Sequence, residues 1–290
     1  MGIPTTNRST DLADRPFAAA RVSLATAVTI VAVILSSGWL LNGQTTSPAM
    51  ADDGWVSLFN GRNLDGWYTF LPSTGKNSDP KRVFKVEDGT IHILDIPVTH
   101  ETQEFGYLAT DREFGHCRIR AEFKWGAKRF PPREEDKRDS GLLYYFTGPD
   151  KVWPRALELQ IQETDVGDLW ILEGTRITTK IETEGYPMYV LSGPLRTQSR
   201  GRIIKFGDFE DRNGWNTVEA VLDGDRITHL VNGRAVMRAW DIQQTALDNP
   251  ARYAPVSAGR IMLQAEGAEV WFRNLQMKPL DPPRKADAPR

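Results

Sequence analysis

Cysteine, histidine and net charge are all scarce in this chain. Its 290 residues include one Cys and four His, with a formal net charge of -2. Cys117 has no partner for an intramolecular disulfide, and we expect it to be a small buried side chain in a strand. The near-neutral charge gives no general field for phosphate backbones, so we expect no nucleic acid partner.

The sequence from Trp55 onward also lacks the 3.6-residue spacing of apolar residues that is typical of amphipathic helices. Alternating runs are instead separated by turn dipeptides such as Asn60-Gly61, Asp88-Gly89 and Asn232-Gly233. About a dozen strands without a fixed repeat favour one sandwich over a propeller. We therefore predict an all-β domain over residues 52–280, a jelly-roll sandwich of two antiparallel sheets.

Long uncharged apolar runs are absent except at the N-terminus, over residues 22–41. That run predicts an export signal within residues 1–51. Ala49 and Ala51 would place the cleavage before Asp52 and leave the rest outside the cytoplasm, in the periplasm or beyond the cell. A run of about 20 apolar residues can also span a bilayer, so an uncleaved membrane anchor is the alternative.

Three segments interrupt the alternation, and a fourth closes the chain. Residues 126–139 and 184–200 are rich in proline, charge or aromatic residues, and they predict long loops. Residues 241–255 predict a loop with one helical turn. Loops of this length often carry function in β-domains. The tail DPPRKADAPR, residues 281–290, is predicted to be disordered.

The stretch LELQIQETDVGD, residues 157–168, contains the most informative pattern. Its apolar residues are Leu157, Leu159 and Ile161, and its alternating polar residues are Glu158, Gln160 and Gln162. In a strand these two sets face opposite sides, so one face predicts core. Trp153 and Trp170 bracket the polar face, and aromatic rings beside amides and carboxylates are typical of sugar sites. We expect a carbohydrate ligand, the alternative being a solvated strand face.

Glu163 has the wrong parity for the polar face of a regular strand. A β-bulge after Gln160 would bring it beside Glu158, and bulges are common near active sites. With this bulge, E-L-Q-I-Q-E resembles the E-x-D-x-x-E strand of laminarinase-like glycoside hydrolases, with Gln160 in place of the aspartate. The resemblance implies paired glutamates in retaining geometry. The neutral Gln160 removes a charge from that set and argues against ordinary retaining hydrolysis.

A second resemblance covers most of the chain. Its blocks, in order, are GWVSLFNGRNLDGW, FKVEDGTIHI, GYLATDREFGHCRIRAEFKWG, RDSGLLYYF, LELQIQETDVGDLW, GWNTVEAVLDGDRITHLVNG and VWFRNLQMKPL. Together they resemble the 3-keto-disaccharide hydrolase domain family. The resemblance implies the concanavalin A-like lectin/glucanase jelly roll, an export signal and cleavage of glycosides oxidised at C3.

That substrate class suits the polar strand. A ketone at C3 makes the C2 proton acidic and allows the group on C1 to leave by elimination, after which water adds. Direct hydrolysis of the same bond is the alternative. The elimination needs a carboxylate base, a group that holds the enolate oxygen and a proton donor. We expect Glu158 to be the base or acid/base, Gln160 to orient a hydroxyl and Glu163 to be the second acid.

For Lys124 and for the Arg138–Asp139 pair, a structural role is the alternative to substrate binding. We expect Lys124 to reach the sugar or to be a surface lysine. Arg138 and Asp139 are expected to bind substrate or to pair with each other, and Gln162, Trp153 and Trp170 to line the substrate site. A non-catalytic lectin-like domain remains the alternative function, because one fold serves both.

No cofactor follows firmly from the sequence. His100 with Glu101 and Glu104 is a weak metal-ligand pattern. A divalent cation that polarises the keto oxygen is the one cofactor that this chemistry would use.

Overall fold

The computed structural model describes residues 53–182 and 186–281. These residues form twenty β-strands and no α-helix, which confirms the all-β prediction. Accordingly, the described part contains no helix with the length and apolarity needed to cross a membrane. The predicted signal or anchor, the cleavage before Asp52 and the tail after Asp281 lie outside the described residues.

The strands follow one another in short steps. They are β1 Val56–Ser57, β2 Trp67–Leu71, β3 Gly75–Lys76, β4 Phe84–Glu87, β5 Thr90–Ile93, β6 Gly106–Thr110, β7 Cys117–Arg129, β8 Asp139–Thr147, β9 Arg155–Gln162, β10 Leu169–Ile171, β11 Thr175–Glu182, β12 Met188–Tyr189, β13 Leu195–Gln198, β14 Gly201–Ile203, β15 Asn216–Asp223, β16 Arg226–Val231, β17 Arg234–Thr245, β18 Tyr253–Pro255, β19 Arg260–Ala265 and β20 Ala268–Pro279.

Two antiparallel sheets form the sandwich. The large sheet has twelve strands, with the main order β12-β11-β17-β16-β15-β7-β20-β5-β4 and with β1, β13 and β18 at its sides. The small sheet has eight strands in the order β14-β10-β9-β8-β19-β6-β2-β3. Sequence neighbours are often separated within a sheet, as expected for the predicted jelly roll.

The main core lies between the two sheets. Leu157, Leu159 and Ile161 from β9 share one buried cluster with Ile119 and Phe123 from β7. The alternation in LELQIQ therefore identified the core face correctly, and removal of this apolar surface from water stabilises the sandwich. Cys117 and Trp67 are buried in the same cluster.

A smaller apolar cluster covers part of the other face of the small sheet. It includes Tyr68, Tyr107, Leu143 and Met262. The hydroxyl groups of Tyr68 and Tyr107 donate to Asp150 Oδ1 at 2.6 and 2.7 Å. These bonds fix the connection between β8 and β9 over the sheet.

The loop predictions were too long. Strand β7 continues to Arg129, so the first loop spans only residues 130–138. Within residues 241–255, β17 continues to Thr245 and pairs with β18, with Gln243 opposite Pro255. The predicted helical turn there is wrong, because cross-strand pairing extends past the irregular sequence.

Candidate active site

A cavity of about 510 Å³ lies on the face of the small sheet that points away from the main core. Strand β9 supplies its floor, and the loops before β8 and β9 and the turn after β19 supply its walls. Its lining includes Arg133, Asp139, Trp153, Glu158, Gln160, Gln162, Trp170 and Glu266. The volume is within the usual range of small-molecule sites.

The polar face of β9 is buried. Glu158 lies opposite Leu143 on one side and Trp170 on the other, and Gln160 lies opposite Gly141. Only 3% of Glu158 and 4% of Gln160 are exposed. The interpretation of this face as a solvated strand surface is therefore wrong.

Three buried acids share one cation in the cavity. Arg133 Nη1 donates to Asp139 Oδ2 at 2.6 Å, and its Nη2 lies 3.0 Å from Glu266 Oε1. Glu158 is the third acid, and its pKa is affected by the charges of the other two. One guanidinium thus compensates at most one of three negative charges.

Burial raises the pKa of each acid in this cluster. For Glu158 the pKa lies well above its usual value because of burial first and the charges of Glu266 and Asp139 next. Burial, followed by the Glu266 charge, raises the pKa of Asp139 to about 8. The pKa of Glu266 is also raised by burial, against the lowering effect of Arg133. The cluster therefore keeps its protons to higher pH than three exposed acids would.

Asp139 and Glu158 have different surroundings. Gln160 Nε2 and Gln162 Nε2 donate to the two Asp139 oxygens at 2.9 and 2.6 Å, in addition to Arg133. Glu158 Oε1 is buried without a hydrogen-bond partner among the described residues. Asp139 is thus held by three donors, whereas Glu158 Oε1 has none among the described residues.

The family model for a 3-keto-alpha-glucoside-1,2-lyase-like domain matches residues 54–278. The chain belongs to this family. The match confirms the resemblance found in the sequence, and it makes the function carbohydrate-related. No curated protein sequence is significantly similar to the chain.

Several solved structures are similar to this family member. A Parabacteroides distasonis protein provisionally described as a glycosyl hydrolase has 20% identity and a TM-score of 0.48, with 79% of this chain and 95% of the other covered. For a Bacillus licheniformis beta-glucanase the values are 13%, 0.43, 79% and 97%. For the carbohydrate-binding module CBM66 of Bacillus subtilis they are 12%, 0.40, 73% and 95%.

Glu163 does not lie in the cavity of this 3-keto-alpha-glucoside-1,2-lyase-like domain. The β8–β9 register is regular from Leu157 to Gln162, without the predicted bulge after Gln160. Glu163 instead pairs with Arg138 at 3.0 Å and Arg129 at 3.4 Å. Its pKa is lowered, first by the hydrogen bond from Arg138. The expected position of Glu163 beside Glu158 is thus wrong, and Glu266 lies in the cavity instead.

Two predicted substrate residues also lie elsewhere. Lys124 is on β7 of the large sheet, opposite Trp271, whereas the cavity is on the small sheet. Arg138 pairs with Glu163 and lies over the Trp125 ring, 5.5 Å from its centroid. The alternative of an Arg138–Asp139 pair is wrong, because each residue has another partner. The structure does bring Asp139, Gln162, Trp153 and Trp170 together.

The sequence reasoning missed Arg133 and Glu266. Arg133 lies in the proline-rich loop predicted over residues 126–139, where nothing in the sequence distinguishes it from the other charged residues. Glu266 follows Gln264 and Met262 by the two-residue spacing of one strand face. That spacing was the available signal, but it does not show that β19 lies beside β8 and so brings Glu266 near the β9 residues.

A separate group of described residues has the geometry to hold a metal ion. It consists of Glu87, His92 and Asp95, at the β4–β5 end of the large sheet. Asp95 already pairs with Lys128 and Lys85, whose hydrogen bonds lower its pKa to about 2. Because the ammonium groups of Lys128 and Lys85 already pair with Asp95, binding of a metal cation by Asp95 is disfavoured. The cation that polarises a keto oxygen therefore remains a prediction.

The metal-ligand pattern predicted around His100 is not formed by the described residues. Glu104 accepts hydrogen bonds from Ser73, at 2.9 Å from the backbone nitrogen and 2.6 Å from the hydroxyl. His100, Glu101 and Glu104 do not form a metal-binding group in the described residues.

Proposed function

We propose that the chain cleaves glycosides that carry a ketone at C3, by elimination across C1 and C2 followed by addition of water. The observation that carries this proposal is the buried acid cluster, in which Glu158 has no hydrogen-bond partner at Oε1 among the described residues. Membership of the 3-keto-alpha-glucoside-1,2-lyase-like family supports the same substrate class.

Glu158 is the base in this mechanism. Its carboxylate takes the C2 proton, and the C–H electron pair forms an enolate that extends to the C3 oxygen. Burial makes the ionised carboxylate a stronger base than an exposed one, because the environment that raises its pKa favours proton uptake. The C1–O bond then breaks, which leaves an unsaturated ketone to which water adds.

The departing oxygen needs a proton, and the cluster can supply it. Asp139, with a pKa of about 8, holds a proton in part of the population at neutral pH. Gln160 Oε1 is buried without a partner among the described residues and can accept a hydrogen bond from a sugar hydroxyl group. This role agrees with the orienting function expected of Gln160.

The two tryptophans support binding of a sugar ring. Trp170 lies opposite Glu158 on β10, and Trp153 is 44% exposed at the cavity wall. An aromatic face can cover the C–H face of a pyranose while the polar floor binds its hydroxyl groups. The reacting carbon atoms would then lie over Glu158.

A pair of substrates tests the proposal. We expect the purified domain to cleave a 3-keto disaccharide and to leave the unoxidised parent uncut, because only the ketone acidifies the C2 proton. The assay runs with and without chelator, which also tests the cation. Equal rates on both sugars would contradict elimination, and binding without cleavage of either would support the lectin-like alternative.

We also propose that the protein is exported, on the strength of the uncharged run at residues 22–41. The mature form is expected to begin at Asp52. N-terminal sequencing of protein recovered outside the cytoplasm checks this. Recovery of a chain that begins at Met1 would support the uncleaved anchor instead.

A further inference from the structure

Gln264 is a buried amide next to Glu158 that the proposed mechanism does not use. It lies on β19, opposite Tyr107 of β6, and is only 6% exposed. Its backbone oxygen accepts a hydrogen bond from Ser140 Oγ at 2.8 Å. Its side-chain oxygen is buried without a partner among the described residues, as is Glu158 Oε1.

The two oxygens both lie close to Gly141. A Cβ atom built on Gly141 would lie 2.3 Å from Gln264 Oε1 and 2.3 Å from Glu158 Oε1. The oxygens can thus be no further apart than twice that distance. Any larger residue on β8 would occupy the space in which they approach each other. A larger residue at position 141 would therefore require one or both of these side chains to move.

Two buried acceptors this close to each other can both be satisfied if one of the two groups supplies a proton. If Glu158 is protonated, its O–H can donate to Gln264 Oε1. If Glu158 is ionised, a half-turn of the amide presents Nε2 as a donor to the carboxylate. One amide can therefore satisfy both protonation states, whereas an unsatisfied buried polar group destabilises the fold.

We propose that Gln264 is the positioning residue for Glu158, and that its amide turns as Glu158 gains and loses the C2 proton. This inference rests on the proposed function for the identity of the proton. The contact itself does not depend on the substrate. Gln264 acts through Glu158, so it is a positioning residue and not a catalytic one.

Three other charged groups also affect the pKa of Glu158. Asp139 reaches it from β8, Glu266 from the turn after β19, and Arg133 from the loop after β7. A change at Gln264 leaves all three in place.

The test is Gln264→Met, which keeps the length of the side chain and removes its donor and acceptor. We expect kcat on a 3-keto disaccharide to fall about 10- to 100-fold with little change in KM. We also expect the Glu158 titration to move to higher pH, because an apolar neighbour disfavours the carboxylate. NMR of glutamate carboxyl carbons measures this without substrate, with Glu158→Gln to assign the signal.

Gln244→Met is the matched control. Gln244 lies on β17 and is as buried as Gln264. Its Nε2 donates to Tyr145 O at 2.8 Å and has no contact with the three acids. We expect a lower melting temperature with an unchanged Glu158 titration. If Gln264→Met does not fold, the isosteric Gln264→Glu replaces it and should raise the Glu158 titration through a like charge.

An unchanged Glu158 titration and kcat in a folded Gln264 variant would overturn the inference. A shifted titration in a protein that cleaves no keto-sugar would support the contact and reject the proposed function, so the two failures are distinguishable.

Discussion

Glu158→Gln is expected to lower kcat on a 3-keto disaccharide by a factor on the order of 10²–10⁴, the usual cost of a lost general base. Glutamine keeps the shape of the buried side chain beside Leu143 and Trp170. It cannot accept the C2 proton. The fold should be retained at neutral pH, because burial raises the pKa of Glu158 and the native site already favours its uncharged form.

Glu219→Gln serves as the control for this experiment. Glu219 is also a buried glutamate on a strand, but it pairs with Arg118 on the large sheet. We expect its turnover to match the wild type even if its melting temperature falls. Near-normal turnover in a folded Glu158→Gln protein would remove Glu158 from the mechanism.

Arg133→Met is expected to have the second-largest effect. Arg133 lowers the pKa values of Asp139, Glu158 and Glu266, against the burial that raises them. Without this cation all three acids should bind protons more tightly, because a nearby positive charge favours the ionised form of a carboxyl group. Because catalysis needs ionised Glu158, kcat/KM at neutral pH should fall about 10- to 10³-fold and recover toward alkaline pH.

The pH profile of kcat/KM measures this shift, with Arg138→Met as the control. Arg138 pairs with Glu163 outside the cavity, so its loss should leave the profile in place. The sign also applies to stability. Acids with raised pKa values stabilise the fold at low pH and lose that contribution as pH rises through those values. The melting temperature of Arg133→Met should therefore fall more steeply toward alkaline pH, and a profile like that of the wild type would reject the role of Arg133.

The alternation along LELQIQ was sufficient to predict a strand and its two faces. Side chains alternate in any extended strand, and apolar residues on one side indicate a core whatever the partner sheet. The turn dipeptides indicated an all-β fold for a similarly local reason, since Gly and Asn accept positive φ. The order of the sequence blocks predicted the family, which the family model confirms.

Parity was not sufficient to locate the third acid. Glu163 follows β9 directly. A bulge was predicted because it would bring this acid to the polar face, but the β8–β9 register contains no bulge there. Glu266 is distant in sequence and reaches the cavity because β19 lies beside β8. Strand order in a sheet depends on long-range pairing, which local alternation does not specify.

By itself, the sequence determined that this protein has a β-sandwich domain with a polar strand face of Glu158, Gln160 and Gln162. Only the tertiary structure decided that the face is buried, that Arg133 and Glu266 complete the acid cluster, and that Gly141 lets Gln264 approach Glu158. The physical reason is that burial and proton affinity depend on every element packed around a group, and these elements come from distant parts of the chain.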